Sequence, residues 1–151
     1  MEIKMTNPIT VLSAERMLTL PEVASASAEL CPAMARDAER HGLTVDGPWI
    51  FVSHGLPKDS RTAFRIAFCL PVSVAAPYDG AYAVKTLEPM VCASGRHEGP
   101  LPTLFSDGYG PLLRAIEDAG HALSGESREI YHRWQGPDSA GNRIEIQFGL
   151  R

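Results

Sequence analysis

The chain has 151 residues, 44% of them apolar and 21% charged, enough for one core and ordinary for a globular fold. A formal charge of -4 gives no basic footprint for duplex nucleic acid, so no direct nucleic-acid binding is expected. Three widely spaced cysteines, a start ("MEIKMTNPITV") too short and polar for a signal peptide, and no apolar run near membrane-helix length point to a cytoplasmic, non-membrane protein.

The first expected element is a short apolar strand, "RMLTL" (16–20), followed by a helical stretch that carries Pro32 and ends at Gly42. Glycine favours a helix end because it lacks the Cβ that makes the left-handed conformation costly. Two strands close this half, at about 48–54 and 63–70. The linker "APYDGAYAVKTL" contains the turn signal Pro-Tyr-Asp-Gly. The second half repeats the order: strand "PMVCAS" (89–94), a helical stretch with Pro111 ending at Gly120, then strands at about 127–134 and 142–149. Each proline breaks its helical stretch, kinks it, or marks its start, because proline lacks the N–H and clashes with the preceding turn.

Residues 33–72 lie on 111–150 without a gap, at a constant offset of 78. Identities fall at Arg36/Arg114, Glu39/Glu117, Gly42/Gly120, Gly47/Gly125, His54/His132, Arg65/Arg143 and Ile66/Ile144. Seven matches exceed the roughly two or three that chance supplies over such a span. The expected fold is α+β over residues 1–151, one domain with halves at about 14–74 and 82–151. The duplicated strand–helix–strand–strand unit implies a pseudo-twofold antiparallel sheet, with two helices on one face and a ligand groove on the other.

Strand alternation assigns the faces. Ile66, Phe68 and Leu70, and Ile144, Ile146 and Phe148, should pack under the helices. The opposite face then carries Arg65, Ala67 and Cys69, and Arg143, Glu145 and Gln147, joined by Phe51, Ser53, Glu129 and Tyr131. Such a wall offers apolar area and a few orienting polar groups, which suits a small-molecule groove. Glu129 is equally readable as an exposed strand residue facing Arg143 or Arg133 across the sheet, and Glu145 as one that simply pairs with Arg143 or with a lysine at the rim. Trp49, Phe51, Trp134 and Tyr109 are stacking candidates, although aromatic rings are more often core. Cys69 has no adjacent base to activate it, so a buried, inert thiol is the plain reading. The five histidines have no metal-ligand spacing, and no phosphate loop, dinucleotide fingerprint or nucleophile elbow occurs, so no metal or cofactor is expected.

The stretches "SGRHEGPLPTLFSDGYGPLLRAIEDAG", "REIYHRWQGPD" and "NRIEIQFGL" resemble the GyrI-like domain family, also called the AraC-type effector-binding domain. The carrying residues are His97, Gly99, Pro100, Gly120, Glu129, Tyr131, Pro137, Asp138 and Glu145. "HGLTVDGPWIFV" and "RIAFCLPV" are more loosely similar. Leu101 stands where an aromatic is common, and Arg65, Ala67 and Cys69 stand where acidic residues often appear. The resemblance implies a duplicated fold that binds small aromatic or cationic molecules, with Glu129 central and Tyr131, Glu145, Gln147, Phe51, Trp49, Tyr109 and Cys69 around it. It leaves open sequestration or sensing, with a transcription regulator as partner. It equally implies a metal-free hydrolase opening the cyclopropane of a DNA-alkylating antibiotic through Glu129, Glu145 and Tyr131, or a protein-binding role such as gyrase inhibition. The hydrolase needs the two acids close together, so that one pKa rises and leaves a proton donor beside an acceptor.

Overall fold

Nine strands and two helices make up the chain in the computed structural model, which describes every residue from Met1 to Arg151. In order they are β1 (Glu2–Met5), β2 (Ile9–Leu18), α1 (Val23–Arg40), β3 (Thr44–Val45), β4 (Ile50–His54), β5 (Phe64–Ser73), β6 (Ala83–Leu87), β7 (Val91–Glu98), α2 (Gly110–Asp118), β8 (Leu123–Arg133) and β9 (Arg143–Leu150). The class is α+β, with antiparallel strands and two helices, as expected from the sequence.

The chain divides into two units, Pro8–Glu88, and Met1–Asn7 with Pro89–Arg151. In the first, the strand order is β4-β5-β2-β6, with β3 added to β5. In the second it is β1-β7-β9-β8. The strands β1, β3 and β6 were not expected. Nearly all their residues are exposed, so they carry no apolar alternation and are held by the backbone ladder of the neighbouring strand. β6 occupies part of the segment read as linker.

The internal repeat is visible in the pairing registers. Phe51 lies opposite Phe68 in the first unit, and Glu129 opposite Ile146 in the second, each pair displaced by the same 78 positions. The helix ends repeat too. Gly42 and Gly120 adopt φ of 72° and 77°. Leu43 N–H then donates to Ala38 O at 2.9 Å, and His121 N–H to Ile116 O at 3.1 Å. These six-to-one bonds satisfy carbonyls that the helix would leave orphaned.

α1 buries Met34, Asp37 and Ala38, a stripe at helical spacing, against a core of Leu12, Phe64, Ile66, Phe68, Leu70 and Val72. It runs through Pro32 unbroken, contrary to one expectation, whereas Pro111 sits at the start of α2. Leu104–Tyr109 ahead of α2 is a π-helical turn, in which Gly110 N–H donates to Phe105 O five residues back. α2 buries Leu112 and Ile116. The turn packs closely: a Cβ on Gly108 would lie 2.8 Å from Ile146 Cδ1 and 3.1 Å from His97 Cβ.

Candidate functional site

The pairing between β8 and β9 decides which candidates meet. Glu129 is opposite Ile146 and Tyr131 opposite Ile144, while Ile130 is opposite Glu145 and Arg128 opposite Gln147. Residues directly opposite in a ladder share a face. Glu129 and Tyr131 therefore lie on the face of Ile144, Ile146 and Phe148, which is the face covered by the turn and α2. Glu145 and Gln147 lie on the other. The expected arrangement, with all four on a helix-free wall, is corrected by one residue of register. The first unit shows the same shift: Phe51 shares its face with Phe68, their rings edge to face at 4.8 Å, while Cys69 is opposite Ile50.

On the helix side, both carboxylate oxygens of Glu129 are occupied. Tyr131 Oη donates to Oε1 at 2.6 Å, and Tyr109 Oη donates to Oε2 in a very short bond. Tyr109 is buried and is aimed at the strand by the π-helical turn, one residue before α2. Its ring stands edge to face with Phe148 at 5.6 Å and lies against Phe105 at 4.8 Å. Tyr131 meets Trp134 edge to face at 5.6 Å. Phe105 and Trp134 are about half exposed, so the aromatic set runs from the buried carboxyl to the surface.

Withdrawal from water raises the pKa of Glu129 above the ordinary carboxyl value, and the two tyrosine hydroxyls, which favour the anion, offset this only in part. Tyr109 is pushed well above the usual phenol value, first by burial and then by the neighbouring carboxylate. The residue Glu129 nevertheless keeps some accessible surface. The group is thus a desolvated acid held in one orientation by two tyrosine hydroxyls, whose rings are backed by further aromatic side chains.

Glu145 is in a contrasting environment. Lys4 Nζ lies 2.7 Å from it, and Ser94 Oγ, Gln147 Nε2 and His132 Nε2 are each at 2.8 Å. Burial alone would raise its pKa, but the donors together bring it down to about 2. Two close carboxylates sharing a proton are therefore not present: Glu145 is on the other face and fully compensated. Of the plain alternatives, pairing with a lysine holds and pairing with Arg143 does not.

Trp49 and Phe51 pack partly buried against the first unit's core. Cys69 has no exposed surface, and its Sγ sits 3.7 Å from Ser13 Oγ, an environment that fits the inert reading. His97 is buried, with Nε2 3.1 Å from Pro100 O, and so closes the turn in which Gly99 adopts φ of 144°. Phe105 and Phe148 were not singled out as site residues. The spacing of Phe148 marks it as core, and Phe105 precedes the regular helix. Lys4 was missed because β1 was.

No known family's sequence profile matches the chain, and no curated protein matches it. Solved structures do. The crystal structure of the EcmrR C-terminal domain is 23% identical with a TM-score of 0.78, covering 99% of this chain and 96% of that one. The EcmrR chain in a cryo-EM structure of an EcmrR–DNA complex is 22% identical with a TM-score of 0.79 over 99% of this chain, which spans only 56% of that chain's length. SAV2435, solved bound to tetraphenylphosphonium, is 11% identical with a TM-score of 0.61, covering 100% of this chain and 94% of that one. At these identities the likeness establishes a shared fold, the α+β architecture of the EcmrR C-terminal domain.

Proposed function

We propose that the chain binds a small aromatic or cationic molecule at Glu129, and that binding serves sequestration or sensing. The observation that carries this reading is the desolvated carboxyl of Glu129, held by Tyr109 and Tyr131 at the inner end of an aromatic set. A buried carboxylate costs several kcal/mol unless a partner compensates it. A poorly hydrated cation loses little on leaving water, and the rings of Tyr109, Tyr131, Phe105 and Trp134 offer it π-faces. The same site discriminates against anions by like charge. SAV2435, of similar fold, is solved with tetraphenylphosphonium, a lipophilic cation, which supports this ligand class. A transcription regulator is the partner class favoured, since the larger EcmrR chain is solved in complex with DNA.

The test is titration of the wild type and Glu129→Gln with tetraphenylphosphonium, followed by intrinsic fluorescence and calorimetry. Gln keeps the shape and removes the charge, so affinity should fall at least about tenfold, a loss of ~1.4 kcal/mol. Equal affinity of the two proteins refutes the role of the carboxylate. Product analysis in the same titration, with a cyclopropane-bearing alkylator added, decides against simple binding if a ring-opened product forms.

A further inference from the structure

The face of the second unit's sheet that carries Glu145 holds a cleft of about 630 Å³, lined among others by Lys4, Ser94, Arg96, His132, Arg143 and Glu145. That volume is within the range of small-molecule sites. On the strand register Arg96 is directly opposite Glu145, and Glu98 directly opposite Arg143. No ion pair forms between Arg96 and Glu145 despite this register. Lys4, Ser94, His132 and Gln147 already occupy the carboxylate at 2.7–2.8 Å. Arg96 and Arg143 are left to share a single oxygen, Glu98 Oε1, at 3.9 Å from each, which is beyond hydrogen-bond range. Their side chains are 66% and 42% exposed. Glu2, the other acid of the cleft, stands 3.8 Å from Lys4.

The acid at the floor of the cleft is thus compensated, while two guanidinium groups on adjacent strands have donors to spare. A guanidinium presents a planar fork that matches an oxyanion in two-point fashion. We propose that this cleft is a second binding site, on the opposite face of the sheet from Glu129, for a small organic molecule carrying a phosphate or carboxylate that Arg96 and Arg143 grip together. Its ligand has the opposite charge preference to the Glu129 site. The cleft is larger than a bare anion, so the organic body adds contact with Gly95 and the stems of Lys4 and Arg143.

The experiment is calorimetric titration of the full chain with phenyl phosphate, benzoate and inorganic phosphate at fixed low ionic strength. Phenyl phosphate or benzoate should bind, and the tighter of the two identifies the anion. Inorganic phosphate should bind more weakly than phenyl phosphate. The Arg96→Gln/Arg143→Gln variant should lose at least about tenfold in affinity. Arg16→Gln/Arg40→Gln removes the same charge from exposed positions elsewhere, and should leave affinity within about twofold. Circular dichroism checks that each variant is folded. No saturable binding by any probe up to ~10 mM overturns the proposal. So does an equal loss in the two double variants, which would mean diffuse attraction. Glu129→Gln should leave anion binding unchanged, so this site and the proposed cation site stand or fall separately.

Discussion

Replacing Glu145 by Gln tests whether the network around it holds β1 in place. The carboxyl pKa lies at about 2 in the folded chain against 4.5 for the free group. At ~1.4 kcal/mol per unit this corresponds to roughly 3 kcal/mol in favour of the folded state at neutral pH. Lys4 and His132 are 36% and 41% exposed, so solvent screening reduces the effect to about 1–2 kcal/mol. A folded-state pKa below the unfolded value gives stability that is present above pH 4.5 and is lost as pH falls toward about 2. Urea unfolding of the wild type and Glu145→Gln across pH 7 to 2.5 should show a gap of about 1–2 kcal/mol at pH 7 that narrows below 4.5. Hydrogen exchange at Glu2–Met5 should quicken in the variant, since β1 is bound to its unit by four residue pairs with β7 and by this ion pair. A gap that is the same at every pH would refute the assignment of the stabilisation to the ionised carboxylate.

Glu129 should show the opposite pH dependence. Its raised folded-state pKa means the folded chain holds a proton more tightly, so the stability of wild type relative to Glu129→Gln should decline as pH rises above 4.5. Gly108→Ala should cost about 1–3 kcal/mol in urea unfolding, because the added methyl meets Ile146 and His97 in a packed turn. Tyr78→Phe should cost a similar ~1–3 kcal/mol, since the Tyr78 hydroxyl donates to the buried Asp37 and accepts from Tyr82 N–H at 2.9 Å. Alkylation of the native chain by iodoacetamide at pH 7 should be slow at Cys31, whose thiol burial pushes up to about 11, and slower still at the fully buried Cys69 and Cys92.

The sequence showed the duplication, the α+β class and the helix ends because each has a local physical signature. Gly42 and Gly120 are at positive φ, where only glycine is unstrained, and the offset between them recurs in the strand registers. The edge strands were not legible: β1 and β6 expose almost every side chain, so burial imposes no pattern on them. The faces were misassigned for a related reason. In β8 the residues from Glu126 to His132 alternate imperfectly, with Ser127 and Arg128 both buried, and a register shift lies between Tyr131 and Arg133. Polarity suggested that Glu129 and Tyr131 face away from the core. Only the pairing with Ile146 and Ile144 places them beneath the helix-side turn.

That one-residue difference separates the chemistry of two acids that look alike in sequence. Glu129 and Glu145 sit on adjacent strands with the same alternation, and either could have been the polar centre of a groove. On the face of Glu145, cations and polar donors approach from β1, β7, β8 and β9, and the carboxylate becomes a structural anion, unable to hold a proton near neutral pH. On the face of Glu129 the neighbours are tyrosines and phenylalanines, which hydrogen-bond or pack but bring no charge. Its burial is therefore met without a charged partner, which is the feature on which the proposed binding of a cation rests. Residue type and strand spacing do not distinguish these outcomes; the side of the sheet does.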